Sequence, residues 1–502
     1  MRVKIRWYDG FLLILLSYLF IFQILAIWPF TIDDMYISLR YARNWVAGDG
    51  LLWNFNDLPV EGYSNFSFVL LGALSLFLKL DPVVTLKLAG LAGLFFTCVF
   101  IYLISRFWFD ARIALIPCIA LLFYKGQIIW AISGLETSVY QALISGSVYF
   151  AFRGLGYLFY PKHRGPLKHL YFFMAGVFIS VAGFTRPEAP ALMVLFLLLI
   201  LWDAPCRNLR DYGYLTLSYI APIGMFYLPY FLWRWHYYGY LFPNAVYCKG
   251  FINEWFKLDA AYLKLTLLWI ILSIPAVINA KDKRHYFLWL PSLVYLLMLM
   301  NSDPIVAFYN RLFLPVFVLL LPLSLQGLGI LIRNYVPHPG KMYPIYIFGM
   351  SFLIIALFIP KFTLAEYRYF TKGPIEGEHL RNKVIQWLNA TLHSDDKVVL
   401  ADAGMIPYHS KVQIIDSYCL NNEAMAHDSH RERYERFCNE ILQKNPTAVI
   451  LTSLVEADKT TYSPSDLCLK QLLKHNNDYK LITVFSAADK DSSYRYELFA
   501  NF

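Results

Sequence analysis

Hydrophobic and polar residues alternate along this chain on a long wavelength: apolar runs separated by short polar loops persist to about residue 360, and mixed signals follow. A helix that crosses a bilayer needs roughly 20 apolar residues. Runs near 8–28, 84–105, 112–126, 138–152, 170–184, 189–203, 213–234, 259–280, 286–300, 312–332 and 344–360 predict eleven spans. The piece at 66–80 is shorter and closes with Lys79 and Asp81, so it is expected to dip into the membrane or lie along it. Past Lys361, residues 376–392 have the spacing of an amphipathic helix, and 397–400, 447–452, 480–485 and 494–500 that of short strands. The expected architecture is an α-helical polytopic membrane domain over 1–360 with an outer loop at 29–83, followed by a C-terminal α/β domain over 361–502.

Lysine and arginine fix the expected orientation, because cytoplasmic loops carry the excess of both. Arg2, Lys4 and Arg6 precede the first run and no small-residue cleavage site follows it, so that run is expected to stay as a helix with its basic end inside. Eleven spans then bring Arg106 and Arg112, Arg153, Lys162, Arg164 and Lys168, Arg207 and Arg210, Lys281, Lys283 and Arg284, and Arg333 and Lys341 to the inner side. The C-terminal domain falls outside. This is the pattern of a multi-pass membrane protein with an extracytoplasmic C-terminal domain. Composition agrees, with 58% hydrophobic and 16% charged residues. The net charge of +9 does not point to nucleic acid, since the cations sit in loops between apolar runs.

The outer loops hold the chemistry. Residues 31–66 open with Asp33 and Asp34 and continue as an amphipathic helix, with Met35, Leu39, Ala42 and Val46 on one face and Tyr36, Arg40 and Arg43 on the other. Neighbours on a helix point about 100° apart, so the two carboxylates do not share a target. One faces a reactive space while the other caps the helix or pairs with Arg40 or Arg43; Asp33 stands at the N-cap position. Two readings stay open here, a catalytic loop or a cap with a surface ion pair. Glu61 adds a third acid. Glu136, in WAISGLETS, reads as a second acid, a metal ligand or a partner of Lys125. FTRPEAP offers Arg186 and Glu188 at a helix break, where an intramembrane arginine points to function. WHYYGYLFPNAVYCKG offers His236, Asn244, Tyr247 and Lys249, and NSDPIVAFYNR offers Asp303, Asn310 and Arg311. Lys249 and Arg311 either bind an anion or snorkel to the interface.

Other features read as structural. WRWHYYGY and YRYF are interface belts, and Asp402 and Asp416 are strand-end residues in a stretch without the G-x-G-x-x-G of a dinucleotide site. The seven cysteines have no C-x-x-C spacing. Cys98 and Cys118 lie in apolar helices, and one disulfide is expected among Cys419, Cys438 and Cys468, with the pair open.

In order along the chain, DDMYISLRYARNWVAGDGLLWNFNDLPVEGYSNF, WAISGLETSVY, TRPEA, YYGYLFPNAVYCK, YNRLFLP and ADAGMIPY with IID form a set. Together they resemble polytopic GT-C glycosyltransferases, in the group of the mycobacterial terminal β-arabinofuranosyltransferase and the LphB-like bacterial membrane proteins. The resemblance implies transfer of a sugar, a pentose or a hexose, from a polyprenyl-phosphate donor to a cell-envelope glycan or lipid, with inversion. It also implies that the catalytic acid lies in the first outer loop: Asp33 as base, with Asp34 as the orienting partner. Arg186, Lys249 and Arg311 are then expected at the donor phosphate, with Glu136, Glu61, Glu188, Arg40, Tyr247 and Asn310 as substrate or second-acid residues. A divalent metal, Mg or Mn, at Asp34 or Glu136 is left open. Glu188 stands where relatives often carry Asp, and NSDPIVAFYNR replaces a Trp-containing GDW-type run.

The residues suit that reaction without the family. A carboxylate within hydrogen-bond reach of an acceptor hydroxyl takes its proton, and cations near the membrane boundary stabilise a departing phosphate. The competing readings are a carrier or flippase for the same lipid-linked sugar, for which internal repeats and broken midplane helices are expected, and a receptor or scaffold.

Overall fold

Prolines and polar breaks set the helix boundaries in the computed structural model, which describes residues 7–55, 57–161, 164–206, 208–249, 257–300, 308–337, 340–428, 432–456, 459–486 and 493–501. Two units are distinguished by their internal packing, one built from 1–28, 87–231 and 253–367, the other from 29–86, 232–252 and 368–502.

The first unit is helical. Helix occurs at each position where a span was expected, though at 112–126 it is short and broken: Trp7–Ala26, Pro82–Ser105, Ile116–Phe123, Thr137–Gly154, His169–Thr185, Ala189–Asp203, Leu209–Pro222 with its continuation to Tyr238, Lys257–Ile278, Arg284–Leu299, Leu314–Tyr335 and Tyr343–Phe358. Among the described residues, Pro82–Ser105, Leu209–Tyr238, Phe308–Tyr335 and Gly340–Phe358 are long and apolar enough to cross a membrane singly. Ile113–Phe123 and Lys125–Ile132 make a further span only as a pair bent by 70°. The bend falls at Tyr124, which is extended (φ −80°, ψ 110°) and donates its hydroxyl to the Tyr309 carbonyl at 2.9 Å. Leu314–Tyr335 is the centre of this unit, buried all round from Leu314 to Leu325. A Cβ on its Gly327 would stand 1.7 Å from the Leu272 carbonyl oxygen, so glycine lets this helix touch Lys257–Ile278 backbone to backbone. Val194, Leu198, Leu217, Phe352 and Leu357 face outward, as lipid-facing side chains do.

The second unit is built on a sheet of six strands: β1 (Lys397–Leu400), β2 (Gln413–Asp416), β3 (Ala448–Glu456), β4 (Lys459–Tyr462), β5 (Lys480–Ser486) and β6 (Ser493–Ala500). Their order is β2-β1-β3-β6-β5, with β4 hairpinned onto β3. β1 pairs parallel to β2 and β3, while β6 runs antiparallel to β3 and β5. Side chains alternate across a strand, and the two faces of β1 find different partners. Val398 and Leu400 pack with Leu380, Val384 and Leu388 of the helix Leu364–Thr391 and with Ile37, Tyr41, Trp53 and Tyr63. Val399 packs on the other face with Cys438, Leu469 and Leu473.

The partition at residue 360 groups 29–83 with the membrane helices, yet side chains of that segment build the core of the sheet's own unit. Polar contacts add to the apolar ones. Trp53 Nε1 donates to the Ile414 carbonyl at 3.0 Å, and Asn54 accepts the Ile414 N–H at 3.0 Å while donating to its carbonyl at 3.1 Å. The side chain of Asn54 thus satisfies both backbone groups at the edge strand β2. Phe66–Phe77, within the expected dipping piece, buries Phe68, Val69, Gly72 and Ala73 and exposes Leu70, Leu74 and Phe77. Cys248 bonds to Cys419 with Cα atoms 6.1 Å apart, which brings a partner from outside the three cysteines expected, and Cys438 bonds to Cys468.

Candidate functional site

Asp33 and Asp34 form a turn before the helix Met35–Ala47. The N-cap residue is Asp34, and it makes no side-chain cap bond, so the capping role expected for Asp33 is not the observed one. The Asp33 carboxylate turns instead toward the segment that leaves β1. Its Oδ1 accepts the N–H of Met405 at 3.0 Å and lies 3.2 Å from Nε of Arg381. The same Nε is 3.0 Å from Oδ2 of Asp402, to which the Tyr496 hydroxyl donates. The sheet places these groups: Asp402 follows the end of β1, Tyr496 lies on β6, and Arg381 projects from Leu364–Thr391. Side-chain exposures of 19% for Asp33, 16% for Arg381 and 11% for Asp402 make the cluster largely, though not wholly, buried.

Two carboxylates facing one guanidinium do not both ionise easily. Burial and the charge of Asp402 push Asp33 well above the usual carboxylate range, against the pull of Arg381 and the Met405 N–H. Burial opposes ionisation of Asp402 as well, but Arg381, the hydrogen bond with Asp33 and the Tyr496 hydroxyl hold it below its ordinary value. The two shifts run in opposite directions, so Asp33 holds a proton more readily than Asp402.

Arg40 is buried and donates to the Trp53 carbonyl at 2.7 Å, Asn54 Oδ1 at 2.9 Å, the Val412 carbonyl at 3.4 Å and the Pro407 carbonyl. Its guanidinium is occupied in holding backbone. Arg43 donates to the Tyr408 carbonyl. Glu61 is buried with Oε1 3.3 Å from Nε of Arg234, whose other N–H groups reach the Tyr240 and Leu241 carbonyls. Tyr247 stands 4.4 Å, centre to centre, from the His427 ring, on which Tyr240 stacks at 3.7 Å. Lys249 ends the short helix Asn244–Lys249, next to the Cys248–Cys419 bond.

The helical unit has its own charged cluster. Glu136 precedes Thr137–Gly154, Arg186 follows His169–Thr185 in extended conformation before Pro187, and Arg311 precedes Leu314–Tyr335. Glu136 Oε1 accepts from Arg186 at 2.7 Å and from Arg311 at 2.9 Å. Arg186 also grips Glu188 with two bonds of 3.0 and 2.6 Å, and Arg311 lies 4.9 Å from the Trp130 ring centre. Two carboxylates balance two guanidinium groups. Lys125 pairs with Glu366, not with Glu136 as one reading had it. Asn310 and Tyr309 are both left-handed, with φ of 58° and 53°. Asp303 lies outside the described residues.

The metal expectation fails at Glu136 on electrostatic grounds, because a divalent cation there would meet two guanidinium groups already bound to the carboxylate. Around Asp34, no group of three His, Cys, Asp or Glu side chains suited to a metal occurs among the described residues.

Compared with solved structures, the chain matches ArnT from Cupriavidus metallidurans bound to undecaprenyl phosphate at a TM-score of 0.59 and 12% identity, over 97% of this chain and 98% of that one. The apo state of ArnT gives 0.56 and 14%, over 96% and 97%. The Archaeoglobus fulgidus oligosaccharyltransferase in its apo form gives 0.57 and 10%, over 90% of this chain and 74% of that one. The chain has the GT-C fold. Residues 366–499 match a domain of unknown function, DUF8728. No curated protein matches the sequence.

Two members of the Asp33 cluster, Asp402 and Arg381, were not among the candidate site residues expected from the sequence. Asp402 was expected to be a structural strand end, and Arg381 carried no signal beyond a place on an amphipathic helix.

Proposed function

We propose that this chain is an inverting glycosyltransferase that moves a sugar, a pentose or a hexose, from a polyprenyl-phosphate donor to a cell-envelope glycan or lipid acceptor. The observation that carries this reading is the fold match along 97% of the chain to ArnT bound to undecaprenyl phosphate. The reaction forms a bond from the acceptor oxygen to the anomeric carbon and breaks the bond from that carbon to phosphate. The electron pair leaves with the lipid phosphate and the acceptor proton passes to a base. We assign the base to Asp33 and an orienting role to Asp34. Burial and the Asp402 charge raise the proton affinity of Asp33, which makes its carboxylate a stronger base.

Binding of the donor phosphate is assigned to Arg186, Lys249 and Arg311. Substrate contacts are assigned to Glu61, Tyr247 and Asn310, while the bonds of Arg40, Glu136 and Glu188 favour holding roles. A bacterial inner-membrane location, with the sheet-bearing residues on the outer side, is supported by the Cys248–Cys419 disulfide, which belongs in an oxidising compartment. Asp33→Asn tests the assignment: transfer is lost while donor binding is kept, and full turnover in that variant contradicts it.

A further inference from the structure

We infer that Asp402 and Arg381 are positioning residues that set when Asp33 can accept a proton, with Gly404 providing the space in which its carboxylate lies. This rests on the assignment of Asp33 as base. The geometry is specific. One nitrogen, Nε of Arg381, is shared by the two carboxylates at 3.2 and 3.0 Å. The Met405 N–H fixes Asp33 Oδ1. Oδ2 of Asp33 occupies the place where any Cβ at position 404 would be.

The groups facing Asp33 come from four elements. Asp402 follows β1, Arg381 is on Leu364–Thr391, Tyr494 and Tyr496 are on β6, and Tyr36 is on Met35–Ala47, with Glu378 beyond it. The nearest anion is Asp402 and the nearest cation is Arg381. When the pair holds a single proton it sits on Asp33, and that proton must pass to solvent before the acceptor hydroxyl can be deprotonated. Asp402 makes the resulting Asp33 carboxylate a stronger base by repulsion. Arg381 keeps the doubly ionised pair attainable. The transferred proton then restores the one-proton pair.

The two neighbours therefore act with opposite sign on the acid limb of the pH–rate profile, where the rate falls as pH drops through the second ionisation of the pair. The experiment is that profile, measured on the full-length protein in proteoliposomes with the polyprenyl-phosphate sugar that the wild type turns over. Asp402→Asn moves the limb to lower pH by about 1 unit or more and lowers the plateau, while Arg381→Gln moves it to higher pH. The donor KM stays constant in both. Tyr496→Phe removes one bond to the Asp402 anion without a change of charge, moves the limb slightly to higher pH, and supplies the reading if a charge variant fails to fold. A limb that stays in place in the folded variants, or that moves the same way in Asp402→Asn and Arg381→Gln, overturns the inference. Asp33→Asn separates the two claims. If it is inactive and the limbs do not move, the positioning role alone fails. If it turns over, or if the wild type transfers no sugar, the base assignment fails and this inference with it.

Discussion

A Cβ on Gly404 would stand 1.9 Å from Oδ2 of Asp33 and 2.2 Å from its Cγ. The closest approach between the first acidic turn and the segment after β1 thus depends on a missing side chain. Gly404→Ala should force the Asp33 carboxylate off Met405 and Arg381. Overpacking of this kind costs about 1–3 kcal/mol, and a displaced reacting group costs about 100-fold in rate. Thermal melting and sugar transfer, measured on the same preparation, check both effects.

The buried network of Glu136, Arg186, Glu188 and Arg311 makes a separable prediction. Removing one partner of a buried ion pair costs about 3–5 kcal/mol, whereas replacing both by apolar residues is often close to neutral. Arg186→Met should therefore destabilise the protein and weaken donor binding. Adding Glu188→Met should recover stability and leave donor binding weak. Melting curves with binding of a polyprenyl-phosphate sugar distinguish these outcomes; full recovery of both would make the arginine a purely structural residue.

The Cys248–Cys419 bond joins residues 171 positions apart. Closing so long a loop stabilises by about 5 kcal/mol in the chain-entropy picture, and disulfides typically deliver about 2–4 kcal/mol. The double variant Cys248→Ser/Cys419→Ser should lower the melting temperature. A reductant should reproduce the loss in the wild type and leave the double variant with the smaller response due to Cys438–Cys468.

Burial pushes Glu61 up to about 8 against the pull of Arg234. The folded protein then keeps a proton that the unfolded chain releases near the ordinary value of 4.5. The sign follows from linkage: the folded state binds more protons between those values, so stability falls as pH rises from about 4.5 to about 8. Glu61→Gln should flatten that slope in melting temperatures measured across the window.

Apolar runs located the helices, because a lipid-facing helix must be apolar along its length. The strands at 397–400 and 480–485 were legible from their β-branched pattern. The bend at Tyr124 was not, since it depends on a hydroxyl bond to Tyr309, 185 residues away. Asp33 stood out by its place after an apolar run. Its partners did not, because Arg381 and Asp402 reach it only through the register of β1 and the helix beside it. Arg40 misled for the complementary reason: an arginine on a polar helix face looks available until the Pro407 and Val412 carbonyls are placed around it. Cys248 was missed as a disulfide partner since nothing local links it to Cys419.

The central claim is that this chain transfers a sugar and does not merely carry its lipid. Purified protein in proteoliposomes, incubated with a panel of polyprenyl-phosphate sugars and an envelope glycan and lipid extract, tests it by mass spectrometry. The account predicts that one donor is consumed, with free polyprenyl phosphate and a glycosylated acceptor appearing together, and that Asp33→Asn abolishes both products. Donors that bind or cross the bilayer and are recovered intact with the wild type would contradict it.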